Sequence, residues 1–179
     1  MTLEIVKMPN GGLREKTRPV AKVDDKLQIL IDEMIETMRD AQGVGLAAPQ
    51  IGRNLRMAVI ETLPKEDDDG NEIPDSRDLY VVINPEIVWY SNEIVSGIEG
   101  CLSIPGYLGE VDRPDSIRVR ALNREGKKVK LKLEGWTARI FQHEIDHLDG
   151  VLFIDKLTSP ENLWTEEAYR KMQDEVDED

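Results

Sequence analysis

Gln142-His143-Glu144-Ile145-Asp146-His147-Leu148-Asp149-Gly150 is the stretch on which the reading of this chain turns. From Trp136 to Leu148 the apolar residues fall at helical spacing. Phe141, Ile145 and Leu148 form one stripe, and Gly150 stands where a glycine ends a helix. On such a helix His143 and His147 lie one turn apart on a single face, so both imidazoles reach one metal ion. Glu144 projects beside them, toward a water on that ion. The plain alternative is a helix with two surface histidines. The separate apolar stripe weighs against it, because it leaves the histidine face free to point into a cleft.

Working outward, a final helix is expected from Pro160 to about Val176, inside an acidic helix-and-tail segment, 158–179. Upstream, Val129, Leu131 and Leu133 alternate with lysines, which predicts a strand over Lys128–Leu133 with one wet face. Further strands are expected over Leu55–Ile60, Leu79–Asn84, Ile87–Trp89, Glu93–Ile98 and Ser116–Leu122, with a hairpin turn at Asn123–Gly126. Near the start, Leu27, Leu30, Ile31, Met34, Ile35 and Met38 mark an amphipathic helix from Asp24, its N-cap, to about Gln42, ended by Gly43. Strands grouped between helices predict one α+β domain over 1–179 rather than alternating βαβ units. The charged run 61–78 has no apolar periodicity and reads as an acidic surface loop with no packed structure of its own.

The net charge of −13 is unevenly spread. Segments 61–78 and 161–179 each hold eight acids and two bases, so together they supply −12 and leave the body nearly neutral. No run of basic residues reads as a face for nucleic acid, and no direct nucleic-acid binding is expected. No stretch approaches the ~20 apolar residues of a membrane span, and Met1–Asn10 lacks the regions of a signal peptide. A cytoplasmic protein with no membrane partner is the expectation.

A catalytic site of the zinc type uses three protein ligands and an open position. With two histidines and one cysteine in the chain, the third ligand is either Cys101 or a carboxylate. In a zincin-type peptidase it would be a glutamate some way downstream, and Glu166 and Glu167 are in range. Cys101 lies in Gly97-Ile98-Glu99-Gly100-Cys101-Leu102-Ser103-Ile104-Pro105-Gly106-Tyr107, where glycines and a proline make irregular backbone that can approach a ligand. A lone cysteine is otherwise most often a small buried hydrophobe.

Three segments, read in order, resemble the peptide deformylases: Gly43-Val44-Gly45-Leu46-Ala47-Ala48-Pro49-Gln50, Glu99-Gly100-Cys101-Leu102-Ser103, and Gln142-His143-Glu144-Ile145-Asp146-His147-Leu148. The resemblance extends through element order over about 1–157. It implies mostly antiparallel sheets packed around a central metal-binding HExxH helix, flanked by an N-terminal and a C-terminal helix. It implies removal of the formyl group from N-formyl-methionine of newly made polypeptides. Cys101, His143 and His147 would hold one divalent metal, iron(II) by family habit, with zinc, nickel or cobalt chemically able to replace it. Glu144 would be the acid/base, and the Gln50 amide and the Leu102 N–H would meet the oxyanion.

Gly43, Val44 and Gly45 would line the substrate strand, and Val44, Trp136 and Ile140 the methionine pocket, with Arg139 at its rim. Asp146, inside the helix, would need a cationic partner, for which Arg113 is the candidate. The partners implied are nascent formyl-methionyl chains, with transient proximity to the ribosome exit. The acidic end of this chain, however, argues against docking on ribosomal RNA through the last helix.

Overall fold

A computed structural model describes residues 1–178; Asp179, last acid of the tail, lies outside the described residues. The chain runs α1 (Asp25–Asp40), β1 (Gly45–Ala47), β2 (Met57–Glu61), β3 (Leu79–Tyr90), β4 (Ile94–Cys101), β5 (Ile104–Pro114), β6 (Ser116–Leu122), β7 (Lys128–Glu134), α2 (Gly135–Leu148), β8 (Leu163–Thr165) and α3 (Glu166–Asp177). The strands make a five-stranded sheet of order β1-β2-β3-β6-β7 and a three-stranded sheet of order β4-β5-β8. Their ladders are antiparallel. This is the expected α+β class, with antiparallel sheets and three α-helices.

The larger sheet is buried on both sides where the strands are apolar throughout. Ala58, Ile60 and Val82 face α2, packing with Ala138, Phe141, Ile145 and Leu148. Met57, Val59 and Ile83, one residue out of phase, face the Leu27, Ile31, Met34 and Met38 stripe of α1. Two-residue alternation therefore serves two helices, one on each face. Helix α1 packs on β1 and β2, so the corresponding face of β6 and β7 is left to solvent beyond Leu122, which joins the α1 cluster.

The ends of the helices follow their sequence signals, with one exception. The Asp24 carboxylate accepts from the Leu27 N–H at 3.0 Å, and Gly150 takes φ +73° after α2. Gly150 also lies against Arg14, where an added Cβ would come within 2.6 Å of the Arg14 carbonyl carbon. After α1, however, the left-handed residue is Gln42, φ 56°, and not Gly43. Gly43 is small for a different reason: a Cβ there would sit 2.8 Å from Leu102 Cδ1.

Three other expectations change. Segment 61–78 does not begin as loop, because Glu61 closes β2 and is buried under Arg39, which donates to both its oxygens at 2.9 and 2.6 Å. The rest is a surface loop with its own turn, in which the Asp67 carboxylate accepts from the N–H groups of Asp69 and Asn71 at 3.0 and 2.8 Å. The last helix starts at Glu166 and not at Pro160, because Leu163–Thr165 pair with Tyr107–Gly109 of β5. Strand β5 itself was not anticipated. Among the described residues no helix is long and apolar enough to cross a membrane.

Candidate metal centre and cleft

Cys101 reaches its place through an irregular hairpin. Strands β4 and β5 are joined at Leu102-Ser103, and their register shifts between Glu99 and Cys101. A bulge of this kind turns a side chain out of the regular pleat. The turned thiol meets α2, with Cys101 Sγ and His147 Nε2 3.3 Å apart. The donor atoms of Cys101, His143 and His147 all lie within 4.8 Å of one another. Bonds of about 2.0–2.3 Å to one ion place tetrahedral donors about 3.5 Å apart, so the set fits a single metal.

Two donors converge on the Cys101 sulfur. Sγ accepts from the Ser103 N–H at 3.4 Å and from the Gln50 side-chain amide at 3.6 Å. Gln50 is buried, and the Ala47 N–H donates to its Oε1 at 2.9 Å. Only an oxygen can accept there, so the amide nitrogen must face the thiol. The same nitrogen donates to Ser103 Oγ at 3.2 Å. The N-terminal segment ties this wall together: the Val6 N–H donates to the Gln50 carbonyl at 2.7 Å and the Met8 N–H to the Ser103 carbonyl at 3.0 Å.

Beneath α2 lies a group to which the sequence assigned no role. Glu99 is buried, and Arg113 donates to both its oxygens at 2.6 and 2.8 Å. Arg139 Nη1 donates to its Oε2 at 2.7 Å, and His143 Nδ1 sits 2.8 Å from its Oε1. With Nδ1 so occupied, Nε2 of His143 is left free for a metal; a carboxylate behind a ligating histidine fixes its ring and tautomer. Burial pushes the Glu99 carboxyl up, but Arg113 and His143 outweigh it and hold it far below the usual carboxylate range. Arg113 Nη1 also reaches Asp146 at 2.8 Å, the partner expected for that acid. Arg139 is not a free rim charge. It is drawn inward onto Glu99 and the carbonyls of Val111 and Val95, at 2.9 and 2.6 Å.

Glu144 stands apart from that network. It is almost fully buried, its Oε2 has no hydrogen-bond partner, and burial raises its pKa to about 7. Its carboxylate presses on the backbone of β1: a Cβ on Gly45 would lie 2.7 Å from Glu144 Cδ. His147 Nδ1 is likewise buried without a partner, and burial together with His143 lowers its pKa, keeping the ring neutral as a ligand must be.

The centre opens into a cleft of about 490 Å³ lined by Gly43, Val44, Gly45, Trp136 and Ile140, the residues expected around a substrate, together with Ile98 and Leu108 from β4 and β5. The last two were missed. Glu166 stands on the cleft wall at the start of α3 but is not among the clustered metal donors, nor is Glu167, which pairs with Lys171 at 3.4 Å. A zincin-type third ligand from α3 is therefore not what the chain builds; the strand pairing of β8 holds that helix on the small sheet.

Taken together, fold and donor set define a metal-dependent hydrolase carrying two histidines and a buried carboxylate on one helix. Comparison with known proteins narrows the class. The sequence model of the polypeptide deformylase family matches residues 2–163. A peptide deformylase of Symbiobacterium thermophilum is 52% identical over 157 residues, covering 88% of this chain and 67% of the relative. The crystal structure of peptide deformylase from Thermotoga maritima superposes with a TM-score of 0.78 at 41% identity, covering 89% of this chain and 99% of that one. That of an Acinetobacter baumannii peptide deformylase bound to Met-Ala-Ser gives 0.78 at 35% identity, covering 88% and 99%. The chain belongs to the polypeptide deformylase family, metal-dependent hydrolases that remove N-formyl groups from nascent peptides.

Proposed function

We propose that this chain hydrolyses the formyl amide of N-formyl-methionyl peptides with Glu144 as the acid/base. Cys101, His143 and His147 would hold one divalent metal, and α2 is the central helix presenting it. The observation that carries the assignment is the Glu144 carboxylate, buried and unpartnered beside the three donors and backed against Gly45. When bound, the metal supplies Lewis acidity, acidifying a water and polarising the formyl carbonyl. Glu144 takes the water's proton as its oxygen bonds to the formyl carbon. The Gln50 amide and the Leu102 N–H donate to the developing oxyanion, where fixed donors are worth most. Glu144 then returns the proton to the departing nitrogen, the C–N bond breaks, and formate and a free amine leave.

Strand β1 is the edge of its sheet, so a peptide can add beside Gly43, Val44 and Gly45 through main-chain bonds. Val44, Trp136 and Ile140 would surround the methionine side chain. The Met-Ala-Ser found in the A. baumannii relative is what deformylation of the corresponding formyl peptide leaves. Formate should be released from formyl-Met-Ala-Ser and not from acetyl-Met-Ala-Ser, and Glu144→Ala should lower kcat by about 10²–10⁴. A base raised to about 7 is protonated below that pH, so kcat/KM should fall on the acid side. Intact activity in Glu144→Ala would remove the assignment.

The metal is assigned as iron(II), and the protein as cytoplasmic. A thiolate beside iron(II) predicts activity that decays in air and persists under anaerobic handling; full, air-stable activity only in zinc-loaded protein would reverse the choice. Transient contact with the ribosome would not use α3, which carries Glu166, Glu167, Asp174, Glu175 and Asp177 against Arg170 and Lys171.

A further inference from the structure

We infer that the outer face of β6 and β7 is a binding surface for the phosphate backbone of RNA. Summed along the chain, charge hides this surface; strand register assembles it. Arg118 lies opposite Lys132, and Arg120 opposite Lys130, with Lys128 next in line. All five are exposed, while Ile117, Val119, Ala121 and Leu133 point the other way into the α2 core. In a chain where 36 acids face 23 bases, partners are plentiful. Among the described residues Arg120 has one, Glu86 at 2.8 Å. Arg118, Lys128, Lys130 and Lys132 form no ion pair there. Like charges placed directly opposite each other cost stability, so the arrangement is not explained by folding. Lysines on β7 would blunt an edge strand, but β6 is interior and needs no such protection.

The spacing fits a polyphosphate. Alternate residues on a strand repeat every ~6.6 Å and the strands lie ~4.8 Å apart, giving a two-column grid of cations near the phosphate repeat of an extended polynucleotide. At one end stands Trp89, 44% exposed, with the Arg118 guanidinium 4.9 Å from its ring centre. Cations in line with an aromatic ring form the usual platform for single strands, the ring stacking on bases while the cations follow the backbone. An acidic polypeptide would satisfy the charges and leave the ring unused. The face lies across the sheet from α2, so an RNA seated there does not obstruct the cleft.

The test is a titration of the metal-loaded enzyme into a labelled single-stranded RNA of mixed sequence, with polyglutamate as competitor. Binding should be micromolar at low salt, with log K falling against log salt with a slope of about −3, as four contacts to a single strand predict. Combined Arg118→Gln, Lys130→Gln and Lys132→Gln should weaken it at least tenfold and leave short-peptide deformylation unchanged, which verifies the fold. Trp89→Leu should weaken RNA binding alone. Equal binding by the triple variant would overturn the inference. So would polyglutamate competing as well as RNA, or sedimentation showing that the face instead joins two copies of the chain.

Discussion

Gly45→Ala is expected to lower kcat for deformylation by about 10²–10³, within the range general acid–base catalysis contributes, with the fold preserved. The new methyl would stand 2.7 Å from Glu144 Cδ, too close for either atom to stay. Gly45 is buried in β1 and held by its ladder to β2, whereas the carboxylate is the far end of a flexible side chain, so the carboxylate moves. Circular dichroism and metal content should therefore match the parent. The discriminating variant is the double substitution with Glu144→Ala. If Gly45 acts by leaving room for Glu144, the double variant is no slower than Glu144→Ala alone. Multiplied losses would mean that Gly45 contributes through the substrate strand instead.

Glu99→Gln should give the largest loss of stability of any single change at the site. Three side chains share this carboxylate, two of them buried arginines that would lose it, Arg113 keeping Asp146 and Arg139 left without a counter-charge. Removing one partner of a buried pair costs about 3–5 kcal/mol, and loosening a ligand's orienting carboxylate costs about 10–100-fold in metal affinity. Denaturant unfolding and chelator competition would read the two effects. The pH dependence has a definite sign. Because the folded pKa is depressed, the stabilisation is complete above the ordinary value of 4.5 and is lost as pH falls below it toward the folded value. The parent should lose stability progressively below that value, and Glu99→Gln should show a flatter acid profile. A variant as stable as the parent, with unchanged metal affinity, would overturn Glu99 as the anchor of the site.

These two residues also show where the sequence stopped being legible. The donors are readable because each carries its signal locally: two histidines at helical spacing, a cysteine between glycines, a stripe on the opposite side of the helix. Glu99 sits two positions from Cys101 and looked like any charged residue, because its partners Arg113, Arg139 and His143 are brought to it only by the fold. Strand β5 was hidden for a related reason. Its inward positions, Gly109, Val111 and Arg113, do alternate, but a glycine and an arginine fill two of the three, so no apolar periodicity survives. Gly109 is small because Leu157 and Phe153 pack there, the latter 3.0 Å and the former closer still to where its Cβ would be. Arg113 is inside because Glu99 is. The face of β6 and β7 was missed by the opposite route, since a count of charges along the chain cannot see which strands become neighbours.

The two hydrogen bonds from Val6 and Met8 give the beginning of the chain a mechanical office. Gln50 belongs to the larger sheet's side of the cleft and Ser103 to the hairpin of the smaller one, and both bonds end on their carbonyls. The segment is thus a clasp across a seam, and the seam runs between Gln50 and the Leu102-Ser103 turn. Tension applied at the front end, by a bulky fusion or an immobilising tether, would load α1 first, through the Leu3 N–H that donates to Thr37 Oγ1 at 2.9 Å, and that seam next. An engineer attaching this enzyme to a surface should hold it by the far end of α3, Lys171–Asp177, where every residue is exposed and none lines the cleft.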